Sequence, residues 1–255
     1  MDAAFDLENY IMHEVTNGQQ WHILPFLPPV QLPGYLSRHA LMLLLGSAFL
    51  ILVLCVLARK TSGVPGRLTN LLEIFVIFIR DDIAVNCLGE HDGKKMTPLF
   101  CTFFFLILCL NLLGLIPAFS TATSNVNITG SLALITLGFM IFGAIYKNGL
   151  VKFFKAFIPT GVPVPLLFIL FPIELAGMFI KTFALTIRLF ANMLAGHIAI
   201  IALLGLVILL GVAAFPVVVL ALFIYLLEIL VAFLQAYIFT LLSALFIGQI
   251  YHAEH

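Results

Sequence analysis

The sequence predicts an all-α polytopic membrane protein. About five helices cross the membrane, one amphipathic helix lies at its surface, and the last two crossings are long and strongly tilted. Three observations predict this. Of 255 residues, 63% are hydrophobic and only 9% charged; a soluble domain carries roughly 25% charged residues, so this chain cannot wet a globular surface. Apolar runs long enough for a bilayer core, roughly 20 residues, recur along it. Lysine and arginine alternate between the intervening segments, as they do where positive charge sets membrane orientation.

The elements follow in order. Residues 1–38 form a polar tail, acidic and proline-containing rather than a basic start with a short apolar core, so no cleavable signal peptide is expected. Residues 39–58 make the first span. Residues 67–88 place Glu73 and Arg80 seven apart, on nearly one face, with Asn70 close to it. Glu73, Arg80, Asp81 and Asp82 within one span would be costly in lipid, so a surface helix or shallow re-entry is expected there. Residues 98–118 and 130–147 make two further spans. The block from 163 to 252 is almost wholly apolar and interrupted near Gly211–Pro216. Its halves, 163–210 and 214–252, are each roughly twice what an upright crossing needs. Either each half crosses twice or each is one tilted helix; no loop-like cluster interrupts them, which favours tilt. Pro163 and Pro165 suit the start of the first helix, and Pro172 a kink within it.

Charge sets the orientation. Segment 1–37 holds Asp2, Asp6, Glu8 and Glu14 without Lys or Arg, whereas 59–97 holds Arg59, Lys60, Arg67, Arg80, Lys94 and Lys95. The loop 119–129 is uncharged, and Lys147, Lys152 and Lys155 follow the next span. This places the N-terminus and the 211–216 turn outside, 59–97 and 147–162 inside, and after five crossings the C-terminus inside.

Several functions lack their signatures. Formal net charge is zero, so no nucleic-acid partner is implied. Cys55, Cys87, Cys101 and Cys109 form no C-x-x-C pair and read as buried small hydrophobes rather than a redox or metal site. No Gly-rich phosphate loop is present, His13–Glu14 lacks the second histidine of H-E-x-x-H, and no two-fold hydropathy repeat of the secondary-transporter kind occurs. Neither metal nor cofactor is expected, and no catalytic site. The triplet at 127–129 matches a glycosylation acceptor, a match common by chance.

The chemistry lies in the last two segments, where Glu174, Lys181, Arg188, His197 and Glu228 stand among apolar residues with Asn192 and Gln235. An ionisable group at mid-bilayer costs roughly 2.5–3.5 kcal/mol on insertion scales. Glu174, Lys181 and Arg188 are seven apart and share a face, drifting only about 20° per step. Asn192 is one turn beyond Arg188, while His197, nine residues on, points to the opposite side. Glu228 and Gln235 share a face of the following helix. Structurally, Glu174 and Lys181 could snorkel from a helix end, and Asn192 and Gln235 could join helices by hydrogen bonds. Arg188 resists that reading, because it cannot shed its proton and no obvious carboxylate neutralises it on its own helix. A histidine and a carboxylate along a polar passage suit proton relay; a fixed cation favours deprotonation of a carboxylate that approaches it.

The stretch RLFANMLAGH at 188–197 resembles the signature of the subunit a family of rotary ATP synthases, R-L-x-[GA]-N-x-x-[AS]-G-[HE]. FIRDDIA at 78–84, NLLGLIP at 111–117, SNVNIT at 124–129 and AYIF at 236–239 are similar to further family segments, so the resemblance covers about residues 67–250. It implies that Arg188 faces a ring of c subunits, meets the rotor's carboxylate and separates two aqueous half-channels. Asn192 and Gln235 would line that contact, His197 and Glu228 would form the exchanged version of the family's acid–imidazole pair, and Glu174 and Lys181 would be half-channel or structural residues. The last two helices would form a hairpin lying nearly flat against the ring. It further implies b-type peripheral stalk subunits and the remainder of the complex as partners, with ATP made on other chains. The membrane implied is a bacterial inner membrane, or alternatively a mitochondrial one. A stand-alone proton-coupled secondary transporter and a purely structural scaffold are the competing readings.

Overall fold

The computed structural model describes residues 20–21, 30–31, 37–57, 66–116, 121–157 and 164–251. Apart from one antiparallel pair, β1 (Gln20–Trp21) with β2 (Val30–Gln31), in register Gln20↔Gln31 and Trp21↔Val30, the described elements are helical. The rest of the expected polar tail up to residue 36 lies outside the described residues. Among the described residues, five helices are long and apolar enough to cross a membrane: Arg38–Val56, Arg67–Gly114, Val126–Lys155, Leu166–Val207 and Phe215–Tyr251. The chain is a multi-pass membrane protein.

Helix α1 (Arg38–Leu57) starts where Ser37 turns its hydroxyl onto the chain and accepts the Ala40 N–H at 3.2 Å, an N-terminal cap. Helix α2 (Arg67–Phe78) passes through a π-helical stretch, Ile79–Val85, into α3 (Asn86–Gly114). Inside α3, Gly89 leaves helical geometry at φ 76, ψ 170, a left-handed backbone that glycine adopts without a Cβ clash. At the start of the π stretch Arg80 forks onto neighbouring Asp81 at 2.7 and 2.9 Å.

Asn125 caps the next helix by accepting the Asn127 N–H at 2.9 Å, after a 3-10 turn at Ala122–Ser124. Helix α4 (Val126–Gly138), a second π-helical stretch (Phe139–Gly143) and α5 (Ala144–Lys155) follow, with a break at Gly149. Thr129 of the 127–129 triplet is buried in the first turn of α4, its hydroxyl donated to backbone carbonyls. The triplet is therefore helix, not an open acceptor loop.

Helix α6 (Val164–Leu210) has 47 residues and α7 (Phe215–Tyr251) has 37, joined by the 3-10 turn Gly211–Ala214. At 1.5 Å per residue these are roughly 70 and 55 Å long, against a hydrocarbon core of about 30 Å. The choice between double crossings and single long helices is thus decided: each half is one helix, and α6 runs through Pro172. A helix so much longer than the core tilts or protrudes.

The chain divides into two compact units. One comprises Met1–Val53, Phe105–Thr129 and Arg188–Ala236. Its core gathers Met42, Leu110, Ala122 and Ile128, with Leu43 and Leu106 packed against them. Gly46 lets α1 approach α3, since a Cβ there would lie 2.6 Å from Leu110 Cδ2. The other comprises Leu54–Phe104, Gly130–Ile187 and Tyr237–His255. It is tied by an edge-on Phe103–Phe239 pair at 5.5 Å, a Thr136–Ser243 hydroxyl contact at 3.0 Å, and an Asp92–Lys147 ion pair beneath the Tyr251 ring. The cysteine expectation is corrected. Cys55, on the outward side of α1, is exposed, and Cys87, Cys101 and Cys109 on α3 are only half-buried.

Candidate proton-relay site

The first unit holds five of the seven sequence-predicted residues. On α6, Leu189, Met193 and Gly196 form the buried stripe at helical spacing. Arg188 stands exposed, Asn192 is half-buried one turn on, and His197 is half-buried. On α7, Glu228 and Gln235 are half-buried and share a face with Ala232, which is fully buried. Glu174 and Lys181 belong to the second unit. There Glu174 is exposed, and Lys181 donates to Gln249 Oε1 at 2.8 Å and lies 5.5 Å from the Phe246 ring centre.

The structure brings Glu228 to α6. A Cβ built on Gly196 would collide with the Glu228 carboxylate. Gly196 is therefore a gap in the helix surface into which the carboxylate is set, beside His197 in sequence. The Oε2 atom of Glu228 is buried with no hydrogen-bond partner among the described residues. A buried carboxylate oxygen without a partner is costly when charged. A proton or a water relieves that cost, so the geometry is suited to a group that takes up and releases protons.

His197 is held from its other side. Its Nδ1 lies 3.5 Å from the hydroxyl of Thr121, which donates to the Gly114 carbonyl at 3.1 Å. The Thr121 carbonyl accepts from His39 Nδ1 at 3.1 Å and from the Ser124 hydroxyl at 2.7 Å. Gly114 makes this seat possible, because a Cβ there would fall within 2.6 Å of the Thr121 side chain. Beneath it, Thr123 donates to Asn111 Oδ1 at 2.7 Å, and Asn111 donates to the Ala232 carbonyl at 3.4 Å, between Glu228 and Gln235 on α7.

Sequence reasoning missed this polar layer. Arg38 and His39 are 0% and 1% exposed, and Asn111, Thr121 and Thr123 are buried too. By composition Arg38 belongs to the polar tail and His39 to the first apolar run. The signal available was an Arg–His pair at the mouth of a span, where an ionisable residue needs a partner. No group of three or more His, Cys, Asp or Glu able to hold a metal ion occurs among the described residues.

The comparisons agree with this architecture. The family profile of the ATP synthase A chain matches residues 39–248. ATP synthase subunit a of Anaeromyxobacter dehalogenans strain 2CP-C is 48% identical over 225 residues, covering 86% of this chain and 59% of its own length. ATP synthase subunit a of Chloroherpeton thalassium is 44% identical over 260 residues, covering 96% of this chain and 77% of its own. That of Chlorobium phaeobacteroides strain BS1 is 43% identical over 253 residues, with shares of 93% and 74%. This chain thus spans 59% of the length of the first relative and about three quarters of the other two. With a profile that spans the described helices and identities of this size across most of its length, the chain belongs to the ATP synthase A chain family.

Proposed function

We propose that this chain is the ion-conducting stator subunit of a rotary ATP synthase, working beside a ring of c subunits and held by a b-type peripheral stalk. The observation that carries the reading is the Glu228 carboxylate seated on Gly196, with Oε2 buried and unbonded, next to His197. Family membership and the exposed Arg188 support it.

In this reading a proton enters from outside, passes along Glu228 and His197, and neutralises a carboxylate on the rotor. The neutral site turns through lipid, which tolerates it because it carries no charge. On its return it meets Arg188, whose permanent charge lowers the carboxylate's proton affinity, so the proton leaves inward. Arg188 also bars a direct hop from one side to the other. Asn192, on the same flank one turn on, and Gln235 supply neutral hydrogen bonding along the contact. Glu174 and Lys181 serve the inward passage or the fold around it. Each charge moved through 100 mV supplies about 2.3 kcal/mol, so several pass for each ATP made in the catalytic head. The membrane is a bacterial inner membrane, with the N-terminus outside and the C-terminus inside.

The test is Arg188→Ala in membranes carrying the assembled complex. ATP-driven proton pumping is expected to be lost while the head keeps hydrolysing ATP. Full pumping by that assembled variant would sink the assignment. Solute transport by the isolated chain in vesicles would favour a stand-alone transporter instead.

A further inference from the structure

The buried polar layer behind His197 has no part in the scheme above. We propose that Thr121 is a positioning residue for the proton relay, fixing which ring nitrogen of His197 carries the exchanging proton; the idea rests on the reading of His197 and Glu228 as relay groups.

The argument is one of hydrogen counting. Threonine has one hydroxyl hydrogen and two lone pairs. That hydrogen goes to the Gly114 carbonyl at 3.1 Å, the shorter of its two contacts. Toward His197 Nδ1, 3.5 Å away, the hydroxyl therefore offers a lone pair. A lone pair there selects the His197 form with hydrogen on Nδ1, so that Nε2 is the basic nitrogen. Once Nε2 takes a proton, the same hydroxyl stabilises the imidazolium through its Nδ1–H.

Thr121 can hold this position because its own backbone is pinned. Its carbonyl accepts from the Ser124 hydroxyl at 2.7 Å and from His39 Nδ1 at 3.1 Å. A carbonyl only accepts, so His39 also carries hydrogen on Nδ1. His39 is 1% exposed, so this loop carbonyl is held by a buried imidazole. The titratable groups that these contacts bring to the corner are His39 from α1, His197 from α6 and, set on Gly196 beside His197, Glu228 from α7; Arg38, next to His39 in sequence, is the buried charge nearest along the chain. Asn111 of α3, which takes the Thr123 hydroxyl and reaches the Ala232 carbonyl, is neutral. Gly114 and Gly196 are the two gaps that admit Thr121 and Glu228 to opposite ends of this arrangement.

The experiment compares Thr121→Val with Thr121→Ser in membranes carrying the assembled complex. It reads passive proton conductance after removal of the catalytic head, and its pH profile, with His197→Ala and Glu228→Gln alongside. Thr121→Val is expected to lower conductance about tenfold, the scale of one lost hydrogen bond to a charged group, and to displace the pH profile. Thr121→Ser should stay near the native rate and profile. Native rate and profile in Thr121→Val, with His197→Ala and Glu228→Gln impaired, would overturn this proposal alone. Equal loss in the valine and serine variants would overturn it too, since the hydroxyl is then not the agent. Unchanged conductance in His197→Ala and Glu228→Gln would remove the relay reading and this proposal with it. If Thr121→Val fails to assemble, Thr121→Ala is read against Thr121→Ser in the same way.

Discussion

A carboxylate can lie flat against a helix only where that helix has no side chain, and Gly196 is where α6 has none. Replacing Gly196 by alanine puts a methyl group where the Glu228 carboxylate now sits. Forcing one extra carbon into a packed site costs about 1–3 kcal/mol, and rotating Glu228 away is the cheaper response. Gly196→Ala is therefore expected to assemble yet to lose most proton conductance, measured in head-stripped vesicles; native conductance would show that Glu228 need not occupy this gap. Arg188 and His197 were legible as residues, because an ionisable group in an apolar run is conspicuous whatever surrounds it. Gly196 was visible only as one letter of a family motif. Nothing in its spacing says that a side chain 32 positions later will fill the space above it, and burial of Arg38 and His39 was hidden for the same reason.

Glycine acts differently in the elements. At Gly89 the backbone is left-handed, φ 76, within the otherwise helical run from Arg67 to Gly114. With ψ near 170 this is a region essentially confined to glycine, where a Cβ costs on the order of 1–3 kcal/mol. Gly89→Ala is thus expected to lower the thermal midpoint of the purified complex, followed by its loss of monodispersity on heating; an unchanged midpoint would mean that α3 tolerates a straightened path there. Gly143 shows the packing counterpart in the same unit, lying under the Tyr251 hydroxyl so that any side chain would meet the ring. Gly143→Val is expected to displace Tyr251 and with it the Asn148 bond to the Tyr251 carbonyl, 3.2 Å in the native chain. Increased protease cleavage near the C-terminus, in open membranes, would report that displacement. The helices themselves were readable from apolar run length. The π-helical stretches Ile79–Val85 and Phe139–Gly143 were not, because one extra residue per turn leaves composition unchanged and shifts only the register.

At the scale of the whole molecule, α6 and α7 expose large apolar side chains over most of their length, Phe168 at 85% and Phe223 at 58% among them. Such a surface is stable only against lipid or another protein. The orientation drawn from the lysines and arginines gives a direct check. In a variant whose four native cysteines are serines, Asn127→Cys and Lys155→Cys should react with a membrane-impermeant maleimide from opposite sides of sealed vesicles. Labelling from one side only would overturn the five-crossing orientation. By itself the sequence determined the membrane class, the number of long apolar helices and the presence of an arginine that lipid would not tolerate alone. These follow from composition and periodicity, which are local and add up along the chain. Only the tertiary structure decided that His39, Thr121 and His197 meet, across separations of 82 and 76 residues, and that Glu228 closes the arrangement. Such meetings depend on close approach between distant segments through glycine gaps, and an isolated helix carries no record of what its gaps will receive.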